Sequence, residues 1–316
     1  MRPKRVFHNG LVKRPSSVAE KDSFGATFTS GGQTIVTELA NDLLAVPATQ
    51  MNAPFKAWRK ALAAWHARSP IAIRRLAKGD DDAFGFLADE QIGVEVLGPL
   101  ETTLDGHRGL RFLGRSKAGT PVAHLDEEFG GLDAGHTVNG HSIVLRLTFG
   151  KWRLLFAGDL NTEAERALAA DGGLRSEVFK VPHHGSHEFA PGFLKAVSPL
   201  ISVVSSGDES ARKEYVHPRA TLMSALGRHS RNDASLVFVT ELVAFFRAAG
   251  WVEPVGPNPG RSFFGFERTA YGLVHIRTDG RRLLVYTDTG KRDLKEAYAF
   301  EAKTMGRPEP VAVIRG

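Results

Sequence analysis

An α/β fold of layered sheets and helices is predicted by three observations. Short apolar runs stop abruptly at polar clusters, as in Leu154-Leu-Phe-Ala-Gly-Asp159 and Val178-Phe-Lys-Val-Pro-His183-His184-Gly185-Ser186, the pattern of buried strands whose C-terminal ends carry a site. Short helical segments follow such runs. A hairpin pattern, with Ile143, Leu145 and Leu147 alternating with Val144, Arg146 and Thr148 before the turn Phe149-Gly150-Lys151, leads through Trp152 to Phe156 into the first run. Asp159 and the His183-His184 pair are side chains that a cation such as Zn²⁺ or Mn²⁺ binds, and a glycine beside each lets the backbone bend close to an ion.

The N-terminal fifty residues are rich in Gly, Ser and Thr, with a strand-like Thr34 to Glu38. Phe55 to Arg68 places Trp58, Leu62 and Trp65 at spacings of four and three, which predicts an amphipathic helix that Ser69-Pro70 ends. Arg74 to Leu87 reads as a second helix interrupted at Gly79, with Asp80, Asp81 and Asp82 as a capping and first-turn acidic cluster. Gln91 to Pro99 is a strand closed by a Gly-Pro turn. Residues 100–138 read as a long polar connection in which His107, His124 and His136 are solvated. Asn161 or Thr162 caps a helix to Leu168, with Glu163 and Glu165 loading its first turn. A helix from Phe189 to Ala196, a strand from Leu200 to Val204, a helix from Arg219 to Arg228 and a strand from Leu236 to Thr240 follow. The tail carries a hairpin, Tyr271 to Arg277 and Arg281 to Tyr286 about Thr278-Asp-Gly280.

Composition narrows the chemistry. The 316 residues are 42% hydrophobic and 24% charged, a globular balance with material for a sizeable core. A net charge of +6 leans towards anionic partners or serves only to solubilise the surface. With no cysteine, disulfides, thiolate ligands and cysteine nucleophiles are excluded, so a metal must use His, Asp or Glu. The N-terminal Met1 to His8 has basic residues without an apolar segment behind them, and the longest apolar stretch, Leu236 to Phe246, is broken by Thr240 and Glu241. No secretory signal or membrane insertion is expected, and a cytoplasmic location is.

Asn139-Gly-His-Ser142, Gly158-Asp159, Lys180-Val-Pro-His183-His184-Gly-Ser186, Ser205-Ser-Gly207 and His217-Pro218 occur in this order. Together they resemble the second half of the metallo-β-lactamase fold, and most closely the branch that includes the hydrolase domain of DNA-internalisation competence proteins. The resemblance covers about residues 90–240. It implies an αββα sandwich with a metal site at one edge of two facing sheets, with residues 1–90 as a variable, helical part and 91–290 as the motif-bearing half of one domain. It makes Asp159 the carboxylate bridging two metals, His183 or His184 a ligand at the next strand end and His217 a late pocket histidine. Zn²⁺ is the cofactor expected, with Mn²⁺ as the alternative, and His184 joins Asp159 as a catalytic residue. Asn139, Ser142 and Ser186 read as groups that brace the loops around the ligands, since no Gly-X-Ser-X-Gly elbow surrounds either serine.

The family's first metal motif, His-X-His-X-Asp-His, occurs nowhere in the chain. The chain therefore resembles a member without its N-terminal strands and their ligands, whether by truncation, an upstream start or loss of the chemistry. Asp159, one of the paired histidines and His217 make at most half of a dinuclear set, which needs about three protein ligands per ion. Two functions are expected from this: a metal-dependent hydrolase of phosphoesters or another anionic substrate such as nucleic acid, impaired in this form, or a non-catalytic binding module that keeps the fold without a complete metal centre. An unpaired sheet edge or uncovered apolar face would make the chain self-associate.

Overall fold

The structure is a computed structural model that describes residues 3–116, 129–206, 217–231, 236–240, 246–252, 263–266, 273–288, 297–301 and 309–310. It is a mixed α/β protein with several sheets. Two compact units share the chain: Met1–Phe86, Val94–Leu145 and Ala157–Asp171 form the first, and Leu87–Gly93, Arg146–Phe156 and Gly172–Gly316 the second.

From the N-terminus, β1 (Arg5–His8), β2 (Thr27–Ser30) and β3 (Gln33–Val36) precede helix α1 (Ala53–Arg68), and β4 (Ala72–Arg75) then pairs in parallel with β1. The side chain of Asn52 caps α1 by accepting the Phe55 N–H, and the helix stops at Ser69, as the sequence predicts. The expected second helix is instead β4 and a 3-10 stretch, Asp81–Glu90. Asp80 accepts the Ala77 N–H at 2.7 Å and Arg74 reaches both Asp80 and Asp82, so local side-chain bonds and the positive φ of Gly79 bend the chain where a helix would need it straight.

After β5 (Ile92–Gly98), the expected polar connection proves to be structured where it is described. It carries β6 (Thr102–Leu104), β7 (His107–Arg111), β8 (Gly114–Ser116), β9 (Phe129–Leu132) and helix α2 (Ala134–Gly140). His107 is exposed and stacks on Phe28 at 3.9 Å, His136 is buried in α2, and His124 lies outside the described residues. The Gly109 position explains why β7 needs no larger residue there: a Cβ would stand 2.2 Å from the Val36 carbonyl oxygen on the paired strand β3.

The hairpin β10 (Val144–Phe149) and β11 (Trp152–Phe156) forms as predicted, and helix α3 (Thr162–Asp171) follows. Asn161, wholly buried, accepts the Ala164 N–H at 3.1 Å and donates from Nδ2 to the His136 carbonyl at 2.8 Å, tying α3 to α2. Asn161→Ala should therefore destabilise the first unit by about 2–3 kcal/mol, combining a lost cap with an unsatisfied buried carbonyl, as read from urea denaturation.

Then come β12 (Val178–Lys180), helix α4 (Pro191–Val197), β13 (Ile201–Val204), helix α5 (Ala220–His229) and β14 (Leu236–Val239). The six-stranded sheet runs β14-β13-β12-β11-β10-β5, and β11 to β14 are parallel neighbours. Parallel pairing of successive strands puts their C-terminal ends on one edge. Beyond β15 (Phe246–Val252) and β16 (Phe263–Phe266), which pair with each other, a tail sheet is made of β17 (Leu273–Thr278), β18 (Arg282–Asp288), β19 (Ala297–Glu301) and β20 (Glu309–Pro310). Within the second unit the two sheets share a core. Trp152, Val178, Ile201 and Phe238 meet Leu283, Val285 and Phe300, while Phe179, one residue out of phase with Val178, turns the other way to the Phe193 ring of α4 at 5.9 Å.

Candidate functional site

The sequence-predicted site residues divide between the units. In the first, Asp159 lies three residues beyond β11. Ser142 Oγ donates to the Asn139 carbonyl at 2.8 Å and accepts the Asp159 N–H at 3.0 Å, so Asn139 and Ser142 hold the backbone of the carboxylate residue. Gly158 has φ +55, and a Cβ there would stand 2.6 Å from Ser142 Cβ; the turn that presents Asp159 depends on glycine.

In the second unit, β12 ends in a tight turn in which His183, His184 and Gly185 all have positive φ (49, 54 and 83). Non-glycine residues adopt this region at a cost of order 1–3 kcal/mol each, which persists only where the surroundings over-determine it. Here they do. The Gly185 N–H donates to Pro182 O and the Ser186 N–H to His183 O, while Gly185 O accepts the Arg219 N–H at 2.9 Å, locking the turn to the start of α5. His184 Nδ1 is 2.9 Å from the Ser205 carbonyl at the end of β13. A carbonyl only accepts, so Nδ1 carries a proton in this bond.

His217 joins this group: its ring is 6.5 Å from that of His183, centroid to centroid. Burial, then Arg219 and the neighbouring His183, His184 and His187, push it down to about 4, so it is neutral near pH 7 and keeps a lone pair. His183 Nδ1 is buried without a hydrogen-bond partner among the described residues. Ser186 is buried, and its Oγ accepts the Glu188 N–H at 3.2 Å, bracing the chain just beyond the turn. The second unit thus brings together His183, His184, His217 and Ser186. Neutral imidazoles are the donors Zn²⁺ prefers, yet among the described residues no three His, Asp or Glu side chains are grouped so as to hold an ion. The donor set does not fit a complete metal centre.

Two groupings escaped the sequence. Glu177, fully buried, accepts from the Arg153 N–H, Nε and Nη2 and from Arg231 Nη1 at 2.7–3.1 Å. Glu163, readable as a residue favouring a helix N-terminus, is instead a buried carboxylate paired with Arg111 at 2.8 Å. The Arg111 carbonyl in turn accepts from His141 Nε2 at 2.7 Å, and burial pushes that imidazole down to about 4. No spacing rule links a strand residue to helix residues so far along the chain, so only the fold reveals these pairs.

Compared with known proteins, the chain is 42% identical over 94 residues to Competence protein ComA of Neisseria gonorrhoeae. The match covers 29% of this chain and 13% of that relative. No protein-family model matches the chain. Among the described residues no helix is long and apolar enough to cross a membrane.

Proposed function

We propose that the chain carries the histidine-bearing part of a hydrolase with the metallo-β-lactamase type of sandwich, similar to the competence proteins, acting on phosphoesters or nucleic acid. The observation that carries this reading is the His183-His184-Gly185 turn: two consecutive imidazoles held at positive φ at the end of a parallel strand, with His217 beside them. His184 is oriented through Nδ1 by the Ser205 carbonyl, and Asp159, the carboxylate that the resemblance singles out, is held by Ser142 within the first unit. The shared core of the two sheets in the second unit and the short ComA likeness support the same family reading. Because the donor set is incomplete, no step of hydrolysis is assigned to an ion.

A second reading, a binding module that keeps the fold without the chemistry, is favoured by the absent His-X-His-X-Asp-His motif and the lack of a three-ligand group among the described residues. Turnover of bis(p-nitrophenyl) phosphate with added Zn²⁺ or Mn²⁺ separates the two. The hydrolase reading expects slow, metal-dependent release of nitrophenol that His184→Ala and Asp159→Ala each remove. Turnover no faster than metal alone, or unchanged in both variants, leaves the binding module.

A further inference from the structure

A cleft of about 470 Å³ opens in the first unit between the chain around Lys13, the turn around Ser23 and the start of α1, and among the described residues neither Asp159 nor any histidine lines it. That volume is within the range of small-molecule sites. Backbone bonds tie its walls together. The Asn52 N–H donates to the Lys13 carbonyl at 2.9 Å, the Lys56 N–H to the Asn52 carbonyl at 3.0 Å and the Arg14 N–H to the Ser23 carbonyl at 2.7 Å. Lys13, Ser23 and Lys56 therefore stand around one space without help from a ligand, which lowers the ordering cost of binding.

The lining itself has a positive excess: three cations, Lys13, Arg14 and Lys56, against the single carboxylate of Glu20. Arg14 is paired with Glu38, which lies outside the lining, and Glu20 already accepts the Ala134 N–H. With Arg14 set against Glu38, two lysines still face one carboxylate, and no carboxylate pairs with either lysine among the described residues. Ser23 adds a neutral donor. It is only 5% exposed, it lines the same space, and its hydroxyl has no hydrogen-bond partner among the described residues. Two ammonium groups and an unused hydroxyl call for a ligand with several acceptor oxygens and more than one negative charge. A phosphate monoester supplies about −1.5 to −2 charge at pH 7 and three such oxygens, whereas a carboxylate supplies one charge and two.

We infer that this cleft binds the phosphate group of inorganic phosphate or of a phosphate monoester, its oxygens on Lys13, Lys56 and the Ser23 hydroxyl. Met51 and Pro54 give the remaining wall an apolar surface on which the organic part of an ester can lie.

The test is calorimetric titration of the full chain, without added metal and at an ionic strength of about 0.15 M so that diffuse surface attraction is screened. The ligands are inorganic phosphate, adenosine 5′-monophosphate, adenosine and acetate. Both phosphates should bind saturably, with adenosine and acetate at least tenfold weaker. Tighter binding of the nucleotide than of inorganic phosphate assigns the cleft to an ester, and equal affinities assign it to the phosphate group alone. Lys13→Met/Lys56→Met should weaken both phosphates at least tenfold, while Lys4→Met/Arg68→Met, which removes the same charge from outside the cleft, should leave them within about twofold. His184→Ala should bind both phosphates as the natural chain does, so this result stands apart from the fate of the hydrolase reading. The inference is overturned if neither phosphate saturates, if acetate binds as tightly, if the lysine double variant binds phosphate as the natural chain does, if the control pair weakens it equally, or if His184→Ala abolishes it. Circular dichroism on each variant separates a lost affinity from a lost fold, and an unfolded double variant passes the decision to Lys56→Met, an exposed position.

Discussion

Replacing Glu177 with alanine should be among the most destabilising single changes in the second unit, by about 2–4 kcal/mol in urea or thermal denaturation. Removing one partner of a buried ionic network costs about 3–5 kcal/mol because it strands the others. The lower figure applies here because Arg153 keeps 34% of its side chain in water, whereas Arg231 keeps 13%. Arg231 also donates to the Ser198 and Ser176 carbonyls, so its loss of Glu177 leaves a buried guanidinium still tethered among backbone acceptors. Glu177→Gln, which keeps the shape and one acceptor, should cost less. The pH dependence has a definite sign. Burial alone would raise the Glu177 carboxyl, but the hydrogen bonds from Arg153 and Arg231 outweigh it and hold the group below its ordinary 4.5. A depressed carboxylate contributes stability that is complete above the unfolded value and is lost as pH falls through the folded one. The natural chain should thus lose stability below about pH 4.5 more steeply than Glu177→Gln does; parallel acid titrations would refute the assignment.

Gly185→Ala should be comparably damaging, by about 2–5 kcal/mol, and should also disorganise the histidines. Two independent costs combine. At φ +83 an L-residue gives up roughly 1–2 kcal/mol, and the added Cβ would stand 2.8 Å from Pro218 Cβ and 2.9 Å from Val204 Cγ1, an overpacking that costs about 1–3 kcal/mol more. Neither neighbour can give easily. Pro218 is a ring, and Val204 ends a strand hydrogen-bonded into the sheet. The relief open to the chain is to move the turn, which breaks the His184–Ser205 bond and shifts His183 from His217. The expected result is a lower melting temperature together with altered imidazole resonances of His183, His184 and His217. A variant that melts as the natural chain does would mean the turn is looser than its contacts imply.

Much of this architecture was legible because period and punctuation agree with tertiary burial. Helix α1 shows its Trp58-Leu62-Trp65 stripe and its Ser69 limit in the sequence, though not its Asn52 cap, and the β10–β11 hairpin shows its alternation and Gly150. The strands β12, β13 and β14 are short apolar runs bounded by Pro, Ser and Thr, and the motif residues fall at their ends. The helix expected over Arg74 to Leu87 fails because side-chain bonds from Asp80 and Arg74 override helical spacing, and β6 to β8 go unseen because strands of three to five residues carry too little periodicity to stand out. His136 has no sequence signal for its burial; α2 is half polar, and its environment comes from Asn161 and the packing of α3. Among the candidate site residues, the strand-end positions of Asp159, His183 and His184 could be read from the sequence, whereas the Nδ1–Ser205 bond of His184, the positive φ of both histidines and the neutrality of His217 depend on Ser205, Gly185 and Arg219, which only the folded chain brings to them.

The central claim is that the turn after β12 sets His183 and His184 beside His217. A pH titration of the full chain and of Gly185→Ala, followed through the imidazole nitrogen resonances, tests it most directly. The account predicts that His217 of the natural chain takes up its proton only as pH falls to about 4, because burial, Arg219 and the neighbouring histidines oppose the charge, and that Gly185→Ala moves this titration back towards the ordinary imidazole range. A His217 that titrates in the ordinary range in the natural chain, or that Gly185→Ala leaves unchanged, would contradict it.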